Sequence, residues 1–417
     1  MVDTGESTLT RAVASGRDRR ARIAASTAFA VQGLCFAVVI ARVPVLQAKF
    51  NLTDSQLTLM LGAVPVVAGL GSVLAGVFAP RVGSGVVLRV GNLSVAAAVA
   101  ATGLVSNLPL LYVSVACIGL FLGVVDATMN MQGVAVQRRY GRSILASCHA
   151  WWSIAAIVGA AAAIVAAKVP LALFLGSVAA IGAIMALTAG PRLLKRAEEA
   201  HNPPTAAVET AEDVNGPAGI RVGRVVLMIG VALMVMFIGD AATTSWGAVF
   251  LQKVLNLDAT DRLLPAGLFA YLTFQFVGRN LADGIIGRFG AVATLVGGGL
   301  VGAAGFVVAA AAPAAYVVLV GFALIGAGLS VVVPLTFSAA DALDPAGTGT
   351  VIAKVNLFNY AGVIIGTVLI GIIGDAAGYR YAFAVPAVLV LAILGLAPAF
   401  RVVDAARARS ARAMAAR

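Results

Sequence analysis

Apolar runs of about 20 residues, parted by short polar or charged breaks, recur from end to end of this 417-residue chain. Each run is long enough to cross a bilayer core as a helix. No stretch alternates apolar and polar with the period of two that a spanning barrel strand needs, which leaves helices as the spanning solution. The pattern predicts twelve spans. In the first half they are Ile23–Leu46, Leu57–Ala79 with Pro65 inside it, Val86–Val105, a span opening at Tyr112 and reaching the stretch Gly119–Ser143, Ala146–Ala167 and Leu171–Leu187. In the second half they are Val225–Val249, Leu263–Leu281, Ala291–Ala312, Ala315–Phe337, Val351–Ile373 and Ala382–Phe400.

Residues 191–221 break the pattern: they are charged, rich in Pro, Ala and Glu, and read as a solvated linker. The expected organisation is a polar tail (1–21), a first six-helix bundle (22–190), the linker (191–221), a second six-helix bundle (222–400) and a basic tail (401–417). Composition agrees, with 61% hydrophobic and 11% charged residues, where a soluble domain is nearer half apolar and a quarter charged.

The net charge of +11 could suggest a nucleic-acid partner. Its placement gives a plainer reason. Basic residues gather in the tails, the linker and the loops of Arg81, Arg138–Arg142 and Arg288, while the opposite loops keep only scattered ones such as Lys49, Lys168, Lys253 and Arg380. That asymmetry is the positive-inside rule for a chain with both termini in the cytoplasm, and no nucleic acid is required. Arg19 and Arg20 could open a twin-arginine export signal, but the following apolar run is too long and lacks a small-residue cleavage site. Cys35, Cys117 and Cys148 are odd in number and lie in or beside apolar runs, so no disulfide framework is implied. His149 and His201 are the only imidazoles, and neither a metal site nor any other cofactor is expected.

The two halves repeat. LQAKFNLTDSQL (Leu46–Leu57) matches LQKVLNLDATDRL (Leu251–Leu263). Arg81 and Gly83 fall against Arg288 and Gly290, Tyr112 against Tyr316, and Ala146–Gly159 against Ala353–Gly366. Six spans, a linker and six similar spans make a parallel repeat about an axis along the membrane normal, with a solute site expected at the interface near the midplane.

This organisation resembles the major facilitator superfamily over nearly the whole chain. GVFAPRVGSG resembles a degenerate copy of that family's signature between its second and third spans, with Pro80 where an Asp is usual. GRNLADGIIGRFG keeps Gly278, Asp283 and Arg288. ARVP in the first span, GVVDATMNMQGVAVQRRYGR, SCHAWWS and PLTFSAADA resemble the bacterial YbjJ-type subgroup, which is distantly similar to fucose permease. The resemblance implies an all-α membrane protein of twelve helices in two pseudo-symmetric bundles, placed in the bacterial inner membrane. It implies a monomeric secondary transporter, with the first, fourth, seventh and tenth spans lining a central cavity. Two departures from the subgroup stand out. The seventh span has Asp240 and Ser245-Trp246 where a Glu and an Asp-Trp are usual, and the eleventh has Asn356, Asn359 and Tyr360 before a Gly-rich run.

Intramembrane polar residues are the candidates for chemistry. An ionised Asp at a bilayer centre costs roughly 2.5–3.5 kcal/mol on insertion scales, so it commonly faces a cavity or a partner. Asp126, Met129, Asn130 and Gly133 share one helical face. Asp240 lies in the seventh span, and Gln32 and Arg42 in the first. A carboxylic acid in a low-dielectric span can keep its proton at working pH, because desolvation disfavours the charged form. Asp126 or Asp240 is therefore the expected proton site, with the other in solute binding or gating, and a structural pairing is the plain alternative for each. Arg42 could snorkel to the interface or bind an anion. His149, Trp151 and Trp152 could anchor the interface or wall the cavity, as could their counterparts Asn356 and Asn359, with Tyr360 and Trp246 nearby. Arg81, Asp283 and Arg288 are candidates for a cytoplasmic conformational lock. Gly119 and Gly123 form a small-xxx-small pair suited to close helix packing.

The expected function is proton-coupled movement of a small organic solute by alternating access. The mostly apolar spans favour efflux by antiport, and sugar or metabolite import by symport is the alternative. An intramembrane transferase would call for clustered acids near an interface, and none is present. A non-transporting sensor would call for a soluble domain larger than either tail.

Overall fold

The computed structural model describes residues 15–140, 144–199, 217–344, 350–406 and 408. The described residues are helical, with no strand among them. The helices of the first half are α1 (Gly16–Ile40), α2 (Val43–Phe50), α3 (Asp54–Val82), α4 (Ser84–Leu104), α5 (Leu108–Tyr140), α6 (Leu145–Val165), α7 (Leu171–Ala189) and the one-turn α8 (Arg196–Glu199). Those of the second half are α9 (Pro217–Leu255), α10 (Leu263–Phe289), α11 (Ala291–Ala311), α12 (Ala315–Leu329), α13 (Val332–Ala342), α14 (Thr350–Ala377) and α15 (Tyr379–Leu396).

Eleven helical segments among the described residues are long and apolar enough to cross a membrane. Of the helices matching the twelve expected spans, α10 alone falls outside that set. It has the length, at 27 residues, but Gln275, Arg279 and Asn280 dilute its apolar run.

Packing follows the sequence repeat. In the first half α3 packs on α5, α1 on α6, and α4 on α7; in the second α10 packs on α12, α9 on α14, and α11 on α15. The matched segments LQAKFNL and LQKVLNL end their helices alike. Asn51 and Asn256 are the two non-glycine residues with positive φ among the described residues, at 50° and 51°. Each is followed by a backbone bond back five residues, Leu52 to Gln47 at 3.0 Å and Leu257 to Gln252 at 3.1 Å, the wrap that closes a helix through a left-handed residue. Gly83 and Gly290, also matched by the repeat, join their helices at φ 93° and 81°, where a side chain would be strained.

Two expected spans are broken. The first divides at Arg42, because Pro44 has no N–H to offer the Ile40 carbonyl and starts α2 afresh. The tenth divides between α12 and α13, where Pro334 cannot bond the Ser330 carbonyl. The fourth span runs unbroken through Asp126 in α5.

The face where α1 begins is called the linker face, and the opposite one the far face. At the linker face, residues 191–199 fold onto the first half rather than trailing away. Arg17 forms an ion pair with Glu198 at 2.6 Å, and Arg139 one with Asp18 at 2.6 Å. Glu199 accepts from the backbone N–H of Ser84 and Gly85 at the start of α4 and from Gln132 Nε2 at 2.8 Å. Asp404 does the same in the second half, accepting from the Ala291 N–H at 2.7 Å where α11 begins. A carboxylate suits the positive end of a helix dipole. The rest of the linker up to residue 216, the tails before 15 and from 409, and Arg142 in the basic cluster lie outside the described residues, and α9 begins inside the expected linker.

Candidate functional site

Between the halves lies a cavity of about 390 Å³. The first half contributes Gln32 and Phe36 from α1, Val64, Pro65 and Ser72 from α3, Leu122, Asp126 and Met129 from α5, and His149 and Trp152 from α6. The second half contributes Ser245 from α9, Arg279 from α10, and Asn359, Tyr360, Val363 and Thr367 from α14. The wall is mostly apolar, with one acid, one base and one imidazole set into it.

Asp126 reaches this wall because α5 lies very close to α3. A methyl group on Gly123 would sit 1.8 Å from the Ala68 carbonyl oxygen, and one on Gly119 2.9 Å from that of Val64, so the small-residue pair is what allows the crossing. Three residues past Gly123, Asp126 turns into the cavity with Met129. Its carboxylate has neither an ion-pair nor a hydrogen-bond partner among the described residues. The backbone carbonyl of Asp126 accepts from Asn130 Nδ2 at 2.8 Å, which turns the Asn130 amide back onto its own helix.

Asp240 has a different setting. Its Oδ1 accepts from the Tyr271 hydroxyl at 2.5 Å and from Gln275 Nε2 at 3.1 Å. Gln275 Nε2 also lies 2.7 Å from the Tyr271 oxygen. Asp240 is set behind the cavity wall, inside the second half. Tyr271, Gln275 and Arg279 follow one another at four-residue steps along one face of α10. The stripe starts at Asp240 and ends at Arg279 on the cavity, where the buried Nε of Arg279 has no hydrogen-bond partner. Sequence reasoning missed all three residues. The polar four-residue step was present, but the segment was read as a signature motif and its intramembrane arginine passed over.

The remaining candidates separate. Gln32 joins three helices, accepting from Trp152 Nε1 at 2.9 Å and donating to the Leu122 carbonyl at 3.1 Å. His149 stands edge-on to Phe29 at 4.8 Å. Asn359 and Tyr360 line the cavity, and Asn356 does not. Trp246 is fully buried and donates to the Thr367 carbonyl at 2.8 Å. Trp151 is 51% exposed on the outer surface of the helices. Arg42 is buried away from the cavity, donating to the carbonyls of Ala166 and Ala167 and lying over the Phe174 ring at 4.6 Å. Arg81, Asp283 and Arg288 are exposed and form no ion pair among the described residues. Arg81 donates to the Val77 carbonyl of its own helix, and Arg288 lies over Phe289.

The expected lining needs one correction. The tenth span, now α12 and α13, contributes nothing to this cavity, and α9 contributes only Ser245. Asp240 and Trp246 of α9 point into their own half, Asp240 to α10 and Trp246 to α14, while Ser330 bonds the Ala327 carbonyl. The second-half wall is therefore built mostly by α14, with Arg279 from α10 and Ser245 from α9.

Polar links between the halves lie on the cavity wall, where Tyr360 of α14 shares a side-chain hydrogen bond with Ser72 of α3, and at the far face. Lys253 at the end of α9 pairs with Asp54 at the start of α3 at 3.0 Å, and Ser55 donates to Asp375 of α14 at 2.7 Å. Gln47 adds a bond to Asp54 at 2.8 Å. Among the described residues no ion pair joins the halves at the linker face.

Residues 25–356 and 263–416 match the family model described as Major Facilitator Superfamily. An "uncharacterized MFS-type transporter" of Yersinia pestis is 26% identical over 381 residues, which is 91% of this chain and 95% of that protein. Among solved structures, a D323A mutant of the nucleoside transporter NupG matches with a TM-score of 0.70 at 13% identity, over 92% of this chain and 99% of that one. The transporter FucP in its outward conformation matches with a TM-score of 0.58 at 17% identity, over 91% and 98%. Likenesses at such low identity show the fold.

Proposed function

The chain belongs to the Major Facilitator Superfamily, and from that premise we propose that it is a proton-coupled secondary transporter of a small organic solute. One observation carries the reading: Asp126 presents to a cavity between the halves a carboxylate with no ion-pair or hydrogen-bond partner among the described residues. An acid so placed can be protonated in one access state and charged in the other, and that exchange ties proton movement to solute binding.

The far-face links between Asp54 and Lys253 and between Ser55 and Asp375 support a state closed on that side. We place the linker face in the cytoplasm of a bacterial inner membrane, because its helix ends carry Arg17, Arg19, Arg20, Arg138 and Arg139. The conformation is then inward-facing. A cavity complete within one chain makes the monomer the working unit. The finer YbjJ-type placement rests on the motif set alone. The exposed surface of the wall is mostly apolar, with Phe36, Val64, Leu122 and Val363 among its residues, which favours efflux of an amphipathic solute by antiport over uptake of a sugar.

The test is a panel of radiolabelled solutes in proteoliposomes with an imposed pH gradient. A solute driven against its own gradient by the wild type identifies the cargo. Asp126→Asn is then expected to lose driven flux and keep counterflow exchange. Driven flux surviving in that variant removes Asp126 as the coupling site.

A further inference from the structure

Among the described residues, Arg279 is the one basic side chain on the cavity wall besides the imidazole of His149. It sits on α10 within the spanning part of the chain, where an unpaired cation is costly. Its Nε is buried and has no acceptor. The nearest acid, Asp240, is within electrostatic reach but not paired with it, and the Asp240 Oδ1 already accepts from Tyr271 and Gln275. Asp126 stands on α5, in the other half, and also forms no ion pair. A guanidinium offers five donors in a planar fork that matches the two oxygens of a carboxylate or phosphate. Lys would be a point charge, and neither a neutral polyol nor an amine would offset the buried cation.

We infer that the transported solute carries an oxyanion, a carboxylate or a phosphate, that docks on Arg279 of α10 while its apolar body lies against the Phe36, Val64, Leu122 and Val363 side of the cavity. The inference rests on the reading of this cavity as the solute site. It also gives the anion a part in closure. His149 on α6 lies within electrostatic reach of Arg279, and α6 packs on α10 across the two halves. An oxyanion held by Arg279 and accepting an imidazole N–H would bridge the halves on the linker side. Loading would then favour closure of the linker face.

The experiment uses purified full-length protein in detergent and reads fluorescence, since Trp152 lines the cavity. Four ring compounds of matched size are titrated: cyclohexanecarboxylate, cyclohexyl phosphate, cyclohexanol and cyclohexylammonium. At least one oxyanion is expected to saturate about tenfold tighter or more than cyclohexanol, the discrimination that a charge-assisted bond supplies. Cyclohexylammonium is expected to bind no better than the alcohol. The ratio of carboxylate to phosphate affinity tells the two headgroups apart. Arg279→Gln is expected to remove the oxyanion preference and Arg279→Lys to keep part of it. Arg380→Gln, which removes an arginine outside the cavity, is expected to leave it intact. Equal binding of alcohol and oxyanions, flat titrations with both oxyanions, or a preference that survives in Arg279→Gln overturns the inference. The wild-type series decides even if a variant does not fold. Proton-driven flux is not part of this readout, so a transporter that moves a neutral solute would fail here and still pass the proteoliposome test.

Discussion

Two aspartates, one in a helix of each half, have opposite surroundings. Asp240 accepts from Tyr271 and Gln275 and lies behind the wall of the cavity. Asp126 faces the cavity and has no such partner. An acid whose acceptor capacity is occupied holds neighbouring helices in register, whereas a free one is available to protons and cargo. Two further acids belong with Asp240: Asp54, held by Lys253 and Gln47, and Glu198, held by Arg17. Coupling is expected to follow the free acid, and stability and gating the held ones.

The largest effect is expected at the free acid. Asp126→Asn should bring driven flux down to the protein-free background while the melting temperature stays near the wild-type value. A fall in stability with coupling intact would reverse the roles of the two aspartates. Next is the hydrogen-bonded acid of the second half. Asp240→Ala leaves the Tyr271 hydroxyl and the Gln275 amide short of an acceptor, at a cost of about 1–3 kcal/mol. Thermal unfolding should show this as a drop of several degrees, and Asp240→Asn, which keeps an acceptor oxygen, should recover most of it.

A smaller effect is expected at the far face. Exposed ion pairs contribute roughly 0.2–1 kcal/mol, so Lys253→Gln should shift the balance of access states by roughly 1.5- to 5-fold. Alkylation of a cysteine placed at Thr58 should quicken to that extent from the far side. An unchanged rate would mean that the Asp54 pair is not a gate. The smallest effect concerns Glu198. Its hydrogen bond to Arg17 holds the carboxyl below the usual carboxylate range. The contact is therefore fully present above that range, and lost as pH falls through the depressed value and the carboxyl protonates. Protection of residues 193–199 against hydrogen exchange, taken relative to the intrinsic rate at each pH, should fall on acidification in the wild type. In Glu198→Gln that protection should already be low at neutral pH.

Much of the frame was legible in the sequence. Runs of apolar residues located the helices, and the repeat located Asn51 against Asn256 and Gly83 against Gly290, because helix ends and tight joins depend on local backbone chemistry. The Gly119–Gly123 pair likewise announced a close helix crossing, and packing made α3 its partner. The breaks at Arg42 and Ser330 were harder to see, since Pro44 and Pro334 lie inside runs that hydropathy alone treats as continuous. The site was only half legible. Asp126 and Asp240 are equal as letters, and their difference arises from a stripe on α10 that packs against one and not the other. Arg279 escaped notice because its role depends on which side of α10 meets the cavity, a matter of packing between halves.

The central claim is that Asp126 is where proton and solute movement meet. The most direct measurement is proton flux into proteoliposomes loaded with a pH-sensitive dye, driven by a gradient of the solute that the panel identifies. The wild type and Asp240→Asn should both move protons with the solute, and Asp126→Asn should move solute down its gradient with no proton signal. Proton movement in Asp126→Asn at the wild-type ratio to solute would contradict the account.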